Sequence, residues 1–281
     1  VGFGAQKQTR DENNKRVTVP SIGPELGIGM VLGDRFEEPV LLVKAAWGGR
    51  AVKYSFRPPG AMPTDEQIRA EVAAIGKKRE EQLERARRNP KKKPKPPGPE
   101  VTFESRKAGY GSDYRKVLSE TRRVLDHIGN YIPAYDPKQG YEVAGFIWFQ
   151  GWNDAIGAGN PHYVDQMAHF IRDMRRDLKV PALPFVIGEL GTDGPGAEGW
   201  VATFRKQQAA IAALDEFKGS VRLAPTAAFW PATQPDLSKE WAAFRELARQ
   251  NEQKPEDDPT RVDPGSFFHQ NWLMNYKQRL S

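Results

Sequence analysis

The chain has 281 residues, enough to bury a full core as one α/β domain with an insertion or as two small domains. Its 42 basic and 36 acidic residues leave a net charge of +6. Residues 64–108 alone hold 13 Lys/Arg against 8 Asp/Glu, so the rest of the chain is close to neutral, which argues against a nucleic-acid-binding protein.

The absence of cysteine excludes disulfides, thiolate nucleophiles and cysteine metal sites, and it is compatible with an exported protein. No apolar stretch approaches the roughly 18 residues that a membrane span requires. No signal peptide is recognisable. Since the chain begins with Val1 rather than methionine, we expect its natural amino terminus to lie further upstream.

The first sixty residues predict one helix and one strand. We expect the charged run 7–16 to be a solvated loop, and Pro24 with Glu25 to begin a helix with an apolar stripe as far as Phe36. Residues 40–46 form an apolar run that predicts a buried strand, followed by Gly48 and Gly49. Glycines at a strand end let backbone N–H groups approach a ligand, although an ordinary turn is the alternative.

Residues 61–108 differ in composition from the sequence on either side. Residues 64–88 predict a highly charged helix with a thin apolar stripe, and the Pro/Lys-rich run 90–97 cannot be helical. We therefore predict an insertion at 61–108 that projects from a domain made of residues 1–60 and 109–281. The lysines at 91–95 could hold a polyanion, but a solvated linker is the better explanation.

The central element of the remaining chain is the stretch 145–154, Gly-Phe-Ile-Trp-Phe-Gln-Gly-Trp-Asn-Asp. Its aromatic and β-branched run 146–149 predicts a strand buried on both faces. Gln150 and Asn153 follow the strand, where α/β proteins place ligands, and their amides could donate hydrogen bonds to a developing oxyanion. The alternative is a turn in which Asn153 and Asp154 cap the next helix.

The other segments continue an alternation of strands and helices. Helices are predicted at 114–128, 161–178, 199–217 and 237–251, and further strands at 183–188 and 221–226. Each predicted strand is a continuous apolar run, which is typical of a parallel sheet covered by helices on both faces. The sequence therefore predicts a three-layer α/β/α sandwich.

Several catalytic motifs are absent, including GxGxxG after a strand, a P-loop, HExxH and GxSxG. The four histidines, among them His162 and His169, show no metal-ligand spacing, and we predict no metal and no cofactor. What remains is a set of glycines, amides and acids at the strand ends, with Glu189 after the strand 183–188. Backbone and amide donors at such a rim favour stabilisation of an oxyanion during acyl transfer.

Three motifs in order, AWGG after the first strand, FQGWND after the central strand and GELG after the next, resemble the SGNH-type hydrolases. The most similar branch contains the sialate O-acetylesterase and acetylxylan esterase-like carbohydrate esterases, and the resemblance covers residues 20–60 and 109–230. It implies a five-stranded, flavodoxin-like sheet. It also implies an oxyanion hole built from Gly48 or Gly49 and from Gln150 or Asn153.

The sequence departs from this family at the nucleophile and the base. The family's serine lies in a GQSN-like block on the first strand, and no such block is present. The family's base is a histidine in an Asp-x-x-His arrangement, whereas Asp263 and His269 are six residues apart. His269 is a candidate base by resemblance, and a loop histidine is the alternative. The missing first strand would leave unpaired strand edges, so we expect a remainder, either more of the same protein or a companion fragment.

The resemblance implies a serine esterase that removes O-acetyl groups from sugars such as sialic acid or xylan, in an exported protein. Trp47 and Trp152 are candidates for stacking on sugar rings, with Glu189 as a polar contact, although burial in the core is equally consistent for the tryptophans. Two alternatives stay open: a carbohydrate-binding or scaffold protein that has lost its triad, and a polyanion-binding module based on the lysines at 91–95.

Overall fold

A computed structural model describes the chain over residues 7–10, 16–19, 23–88, 98–157, 159–230, 234–255 and 257–263. The strands are β1 (Lys7–Arg10), β2 (Arg16–Val19), β3 (Phe146–Trp148), β4 (Phe185–Gly188) and β5 (Val221–Ala224). The α-helices are α1 (Glu25–Arg35), α2 (Asp65–Arg88), α3 (Phe103–Gly109), α4 (Ser112–Leu125), α5 (Trp152–Ala155), α6 (Tyr163–Asp177), α7 (Gly199–Ala213) and α8 (Gln234–Gln253). Short 3-10 helices lie at Pro59–Ala61, Ile128–Asn130, Asp215–Phe217 and Ala227–Phe229.

The centre of the fold is a three-stranded parallel sheet in the order β3-β4-β5. Phe146 lies opposite Phe185, and Phe185 lies opposite Val221. Helix α6 connects β3 to β4, and α7 connects β4 to β5. The prediction of an α/β fold with a parallel sheet is therefore confirmed.

Helices α6 and α7 line one face of this sheet. Successive right-handed crossovers in one direction place their helices on the same face, and these two helices contact each other. Phe170 of α6 packs against Phe146 and Trp148, with ring centroids 5.9 and 4.7 Å apart. The buried faces of these two helices and three strands form one hydrophobic core together with residues from α4.

The opposite face of the sheet is open over the described residues. Ile147 and Phe149 are 44% and 54% exposed, and Arg222, in register with Ile147 through β4, is exposed as well. The prediction that the strand 146–149 is buried on both faces is therefore wrong. Its apolar run is continuous, but within the described part of the chain its second face is not covered.

The predicted strand at 40–46 does not form. These residues make no backbone–backbone hydrogen bond with any described residue, although their side chains alternate between half-buried and exposed as in extended chain. An apolar run becomes a strand only where a neighbouring edge accepts its N–H and C=O groups, and the pairing of this sheet ends at β3.

The prediction of a loop over 7–16 is also wrong, because strands lie at both ends of this range. Strands β1 and β2 pair as an antiparallel ladder in which Lys7 lies opposite Val19 and Arg10 opposite Arg16.

The helix predictions agree with the structure to within a few residues at most ends. Helices α2, α6 and α7 lie where the sequence predicts helices, over 64–88, 161–178 and 199–217. The last of these predicted helices includes the separate 3-10 turn at Asp215–Phe217. Helix α4 begins two residues earlier than predicted and ends at Leu125, before a separate 3-10 turn. Among the described residues, no helix is both long and apolar enough to cross a membrane.

The base of the proposed insertion contacts the body of the protein. Ile68 of α2 is buried, and the Arg106 guanidinium of α3 lies 3.9 Å from the ring centroid of Tyr54. Arg106 Nε and the Tyr110 hydroxyl both donate to the Glu71 carboxylate, at 2.9 and 2.6 Å. Burial and the neighbouring Glu71 raise the pKa of Tyr110 to about 12. The division into a domain and an insertion at 61–108 stays a prediction.

Candidate functional site

The turn that follows β3 is organised by a buried carboxylate. Asp154, in the four-residue helix α5, has no exposed surface. Its Oδ2 accepts hydrogen bonds from Val52 N at 2.7 Å and Gln150 Nε2 at 2.9 Å. Its Oδ1 accepts from Lys53 N at 3.1 Å and Asn160 Nδ2 at 2.8 Å. Four donors satisfy both oxygens, which is the condition under which a carboxylate can be buried.

This carboxylate joins two segments about a hundred residues apart in sequence. The amides of Val52 and Lys53 follow the Gly48-Gly49 turn, and Asp154 follows β3. Gly49 has a φ of +73°, a left-handed conformation that favours glycine, and its surroundings are open. The structure thus brings the segment just after the glycine turn to the carboxyl end of β3, while the oxyanion-hole roles of Gly48 and Gly49 stay predictions.

The side chain of Gln150 is committed to internal hydrogen bonds. Its Nε2 donates to the Arg50 carbonyl at 3.0 Å and to Asp154 Oδ2 at 2.9 Å, which uses both of its N–H bonds. Its carbonyl oxygen Oε1 is buried and accepts no hydrogen bond from the described residues. An oxyanion would have to compete for the N–H bonds, so the donor role of Gln150 stays a prediction.

Asn153 is the more available amide of this turn. It lies in α5, is half-buried, and its side chain makes no hydrogen bond with the described residues. Asn153 follows β3 at the edge of the sheet where α/β proteins bind ligands. Because its amide is not bonded to any described residue, Asn153 is a better candidate for an oxyanion donor than Gln150, and its role stays a prediction.

A second group of buried side-chain amides contacts this turn and the ends of the neighbouring strands. Gln208 of α7 is fully buried; its Oε1 accepts from Leu190 N at 2.8 Å, and its Nε2 donates to the Gly188 carbonyl at 3.2 Å. Asn160 donates to both Asp154 and Gln166. Each buried amide is paired, so the strand ends are held by a continuous polar network.

The loop after β4 is held in a similar way. The Arg205 guanidinium donates to the carbonyls of Leu190, Thr192 and Gly194 at 2.7–2.8 Å. The Glu189 carboxylate accepts from Ala227 N at 3.3 Å, and the Thr226 hydroxyl donates to the Glu189 carbonyl. Glu189 thus connects the ends of β4 and β5, and its predicted substrate contact stays a prediction.

The two predicted sugar-stacking tryptophans differ in environment. Trp47 is half-buried, packs against Phe56 at 6.2 Å between centroids, and has the Lys116 ammonium 4.5 Å from its ring. Trp152 is 47% exposed and meets Trp200 edge to face, with ring centroids 5.2 Å apart and an interplanar angle of 87°. Only Trp152 presents much of its ring to solvent.

No nucleophile–base pair is found within the described part of the chain. Ser55 is buried and bonds to the backbone of Ala51, and no described serine hydroxyl lies within hydrogen-bond distance of a histidine ring. Asp263 follows α8, next to Val262, whose N–H bonds Asn251. The candidate base His269 lies outside the described residues. His162 immediately precedes α6 and His169 lies within it. Among the residues that the structure describes, no group of three or more acids and histidines could hold a metal.

Sequence reasoning missed two residues that organise the site. The sequence predicts for Asp154 at most a role as a helix cap, yet it is the centre of the hydrogen-bond network. Gln208 lies between Phe204 and Ile211 on the buried stripe of α7, and a polar residue in such a stripe is the signal that could have identified it. The pairing of Asp154 with residues 52 and 53 requires the tertiary structure.

Comparison with known proteins supports the resemblance for part of the chain. A family model described as "Carbohydrate esterase, sialic acid-specific acetylesterase" matches residues 108–220. The predicted resemblance is confirmed for this segment, which contains residues 150–154. The description names a family of carbohydrate esterases, and the match covers residues 108–220 of this chain.

One solved structure, of a protein from Arabidopsis thaliana, shares 19% identity with a TM-score of 0.29. The alignment covers 40% of this chain and 39% of that one, so this chain spans about two fifths of that protein's length. Among curated proteins, none matches this chain.

Proposed function

We propose that the protein is a carbohydrate O-acetylesterase that removes acetyl groups from sugars such as sialic acid or xylan. The observation that carries the proposal is the family match over residues 108–220, which includes the half-buried, unbonded amide of Asn153. In the proposal the backbone N–H groups come from Gly48 or Gly49, in the turn that precedes Val52 and Lys53, whose amides bond Asp154 at the same strand end.

In the proposed reaction a serine outside the sequence described here attacks the acetyl carbonyl carbon, and a histidine accepts the serine proton. The tetrahedral oxyanion receives hydrogen bonds from Asn153 Nδ2 and a backbone N–H of Gly48 or Gly49. Collapse of the intermediate breaks the bond to the sugar oxygen, which takes the proton from the histidine. Water then hydrolyses the acetyl-serine to acetate. His269, with Asp263, is the proposed base.

Substitution of the two amides in the full-length protein tests this proposal. Asn153→Ala should lower acetate release by a factor of about 10² to 10³, roughly 3–4 kcal/mol of transition-state stabilisation, with the unfolding midpoint nearly unchanged. Gln150→Ala should mainly lower stability, by about 1–2 kcal/mol, because Asp154 and the Arg50 carbonyl lose a donor. Turnover of acetylated xylan and of 9-O-acetyl N-acetylneuraminic acid, with thermal melting, measures both effects. A loss of less than tenfold in both variants would rule out acyl transfer at this rim.

A carbohydrate-binding protein without catalysis is the second candidate. It is favoured by the positions of the described serines, none of which contacts a histidine. In that case acetylated sugar binds to the full-length protein, the Asn153→Ala variant binds it equally well, and no acetate is released. Measurement of sugar binding and acetate release on the same preparation separates the two candidates.

A further inference from the structure

Two tryptophans form an exposed aromatic corner beside the proposed site. Trp152 and Trp200 are 47% and 40% exposed, and their rings are nearly perpendicular at 87°. Neither belongs to the hydrophobic core or to the half-buried residues packed on it. Leaving two large aromatic surfaces in water forgoes stabilisation that burial would provide, so stability of the fold does not account for them.

The corner is located where α/β sheets bind ligands. Trp152 is the first residue of α5, directly after β3, and Trp200 is the second residue of α7, after the loop from β4. Both strands end at the same edge of the parallel sheet. Asn153, the proposed oxyanion donor, is adjacent to Trp152 in the chain, so a ligand on the corner would be next to the reacting ester.

The neighbouring polar groups indicate the kind of ligand. Glu198 is the N-cap residue immediately before α7 and lies two residues before Trp200; it is exposed, makes no capping bond and has no hydrogen bond with the described residues. A free carboxylate accepts hydrogen bonds from hydroxyl groups and repels other carboxylates. Arg205, the nearest arginine in the sequence, directs its guanidinium to three carbonyls of the loop after β4.

We propose that Trp152, Trp200 and Glu198 form a subsite for an uncharged pyranose of the acetylated carbohydrate, rather than for a carboxylated sugar. Resting on the proposed function, this inference specifies its substrate. The apolar C–H face of the pyranose packs on one ring, and the second ring forms a wall at right angles to it. Glu198 accepts from the ring's hydroxyl groups and disfavours the carboxylate of a sialic acid.

Binding of two defined probes tests the subsite without relying on catalysis. Xylotetraose should quench tryptophan fluorescence and give saturation-transfer NMR signals, while the methyl α-glycoside of N-acetylneuraminic acid should bind at least about tenfold more weakly. Trp152→Ala and Trp200→Ala should each weaken xylotetraose binding about tenfold, with unchanged melting temperatures. Phe229→Ala is the matched control, since Phe229 is 84% exposed in the 3-10 helix that follows β5 but is outside the pair. It should bind normally.

The Glu198→Gln variant tests whether the negative charge of Glu198 disfavours a carboxylated sugar. It should improve binding of the sialoside relative to xylotetraose. The subsite would be overturned if xylotetraose failed to bind, if Phe229→Ala weakened binding as much as the tryptophan variants, or if the unmodified protein bound the sialoside more tightly.

In the full-length enzyme the tryptophan variants should raise KM for acetylated xylotetraose more than they lower kcat. Sugar binding at the corner without any acetate release would overturn the proposed function alone. Acetate release indifferent to both tryptophans would overturn the subsite alone.

Discussion

At the scale of single residues, Asp154 is the side chain on which the site geometry depends most. Its two oxygens receive four hydrogen bonds, two from backbone amides and two from side-chain amides, with no access to water. Removal of the acceptor would leave those donors unpaired in a buried environment, and each such group costs about 1–3 kcal/mol.

We therefore expect Asp154→Ala to lower the free energy of unfolding by at least about 3 kcal/mol. Asp154→Asn should cost nearly as much, because its NH₂ group would face N–H donors instead of accepting from them. Urea denaturation measures both. Asp165→Asn, at a carboxylate with a 72% exposed side chain, is the control and should change stability by less than about 0.5 kcal/mol. Full stability of Asp154→Asn would show that the network tolerates a donor.

The site could be predicted from the sequence only in part, because its polar groups come from distant segments. The position of Gln150 and Asn153 after a strand could be inferred from the apolar run before them. The reason that one amide is bonded and the other is not lies in the Arg50 carbonyl and in Asp154. No local pattern encodes a contact across a hundred residues.

At the scale of elements, helices were predicted more accurately than strands. Helices α4 and α6 carry their apolar residues at helical spacing, and their hydrogen bonds are internal, so the local sequence suffices. The run at 40–46 has a strand-like composition, but strand pairing needs a partner elsewhere in the chain. For the same reason the second, open face of β3 could not be foreseen from its residues.

The junction between α4 and α6 offers a prediction on pH dependence. The Tyr114 hydroxyl donates to Asp177 Oδ2 at 2.7 Å, and Arg176 donates to Asp177 Oδ1 at 2.8 Å. Although burial opposes the charged form, these two bonds hold the pKa of Asp177 below its ordinary value. A depressed carboxyl pKa contributes stability above the unfolded pKa of about 4, and that stability is lost as the pH falls through the folded pKa.

Asp177→Asn should therefore lower the free energy of unfolding at pH 7. It should also make the free energy of unfolding depend less on pH between about 5 and 3. Tyr114→Phe, which removes one donor, should have a smaller effect in the same direction. Urea unfolding at pH 7 and pH 3.5 measures the difference, with Asp126→Asn at an exposed position as the control. An unchanged pH dependence in Asp177→Asn would show that other carboxyl groups dominate acid unfolding.

At the scale of the whole molecule, the described residues leave one face of the sheet open and contain no nucleophile–base pair, and both features bear on activity. A parallel sheet is ordinarily covered on both faces, and β3 has its open face next to residues 150–154. We expect the 281-residue chain by itself not to hydrolyse 4-nitrophenyl acetate by the family mechanism. Robust turnover that is abolished by substitution of one of its own serines with alanine would contradict this and identify an unexpected nucleophile.

The predicted insertion at 61–108 gives the last prediction, because its described residues fall into two parts that differ in their contacts. Near the body, Ile68 is buried and Arg106 lies against Tyr54 and Tyr110. Beyond Gly76 the rest of α2 is mostly exposed, and Arg79 Nε donates to the Gly98 carbonyl, so the two ends of the outer part lie close together. A short connection can therefore replace the outer part without strain.

Replacement of residues 77–100 by a short Gly/Ser linker should leave the unfolding transition cooperative and its midpoint unchanged. Replacement of all of 61–108 should keep the transition cooperative, but it should lower the free energy of unfolding by about 2–3 kcal/mol, since burial of Ile68 is lost and Tyr110 is uncovered. Calorimetry of both variants beside the unmodified chain measures the difference. If the shorter replacement already gave an insoluble or molten product, the outer part would have to pack into the core, and the division into a domain and a projecting insertion would be wrong.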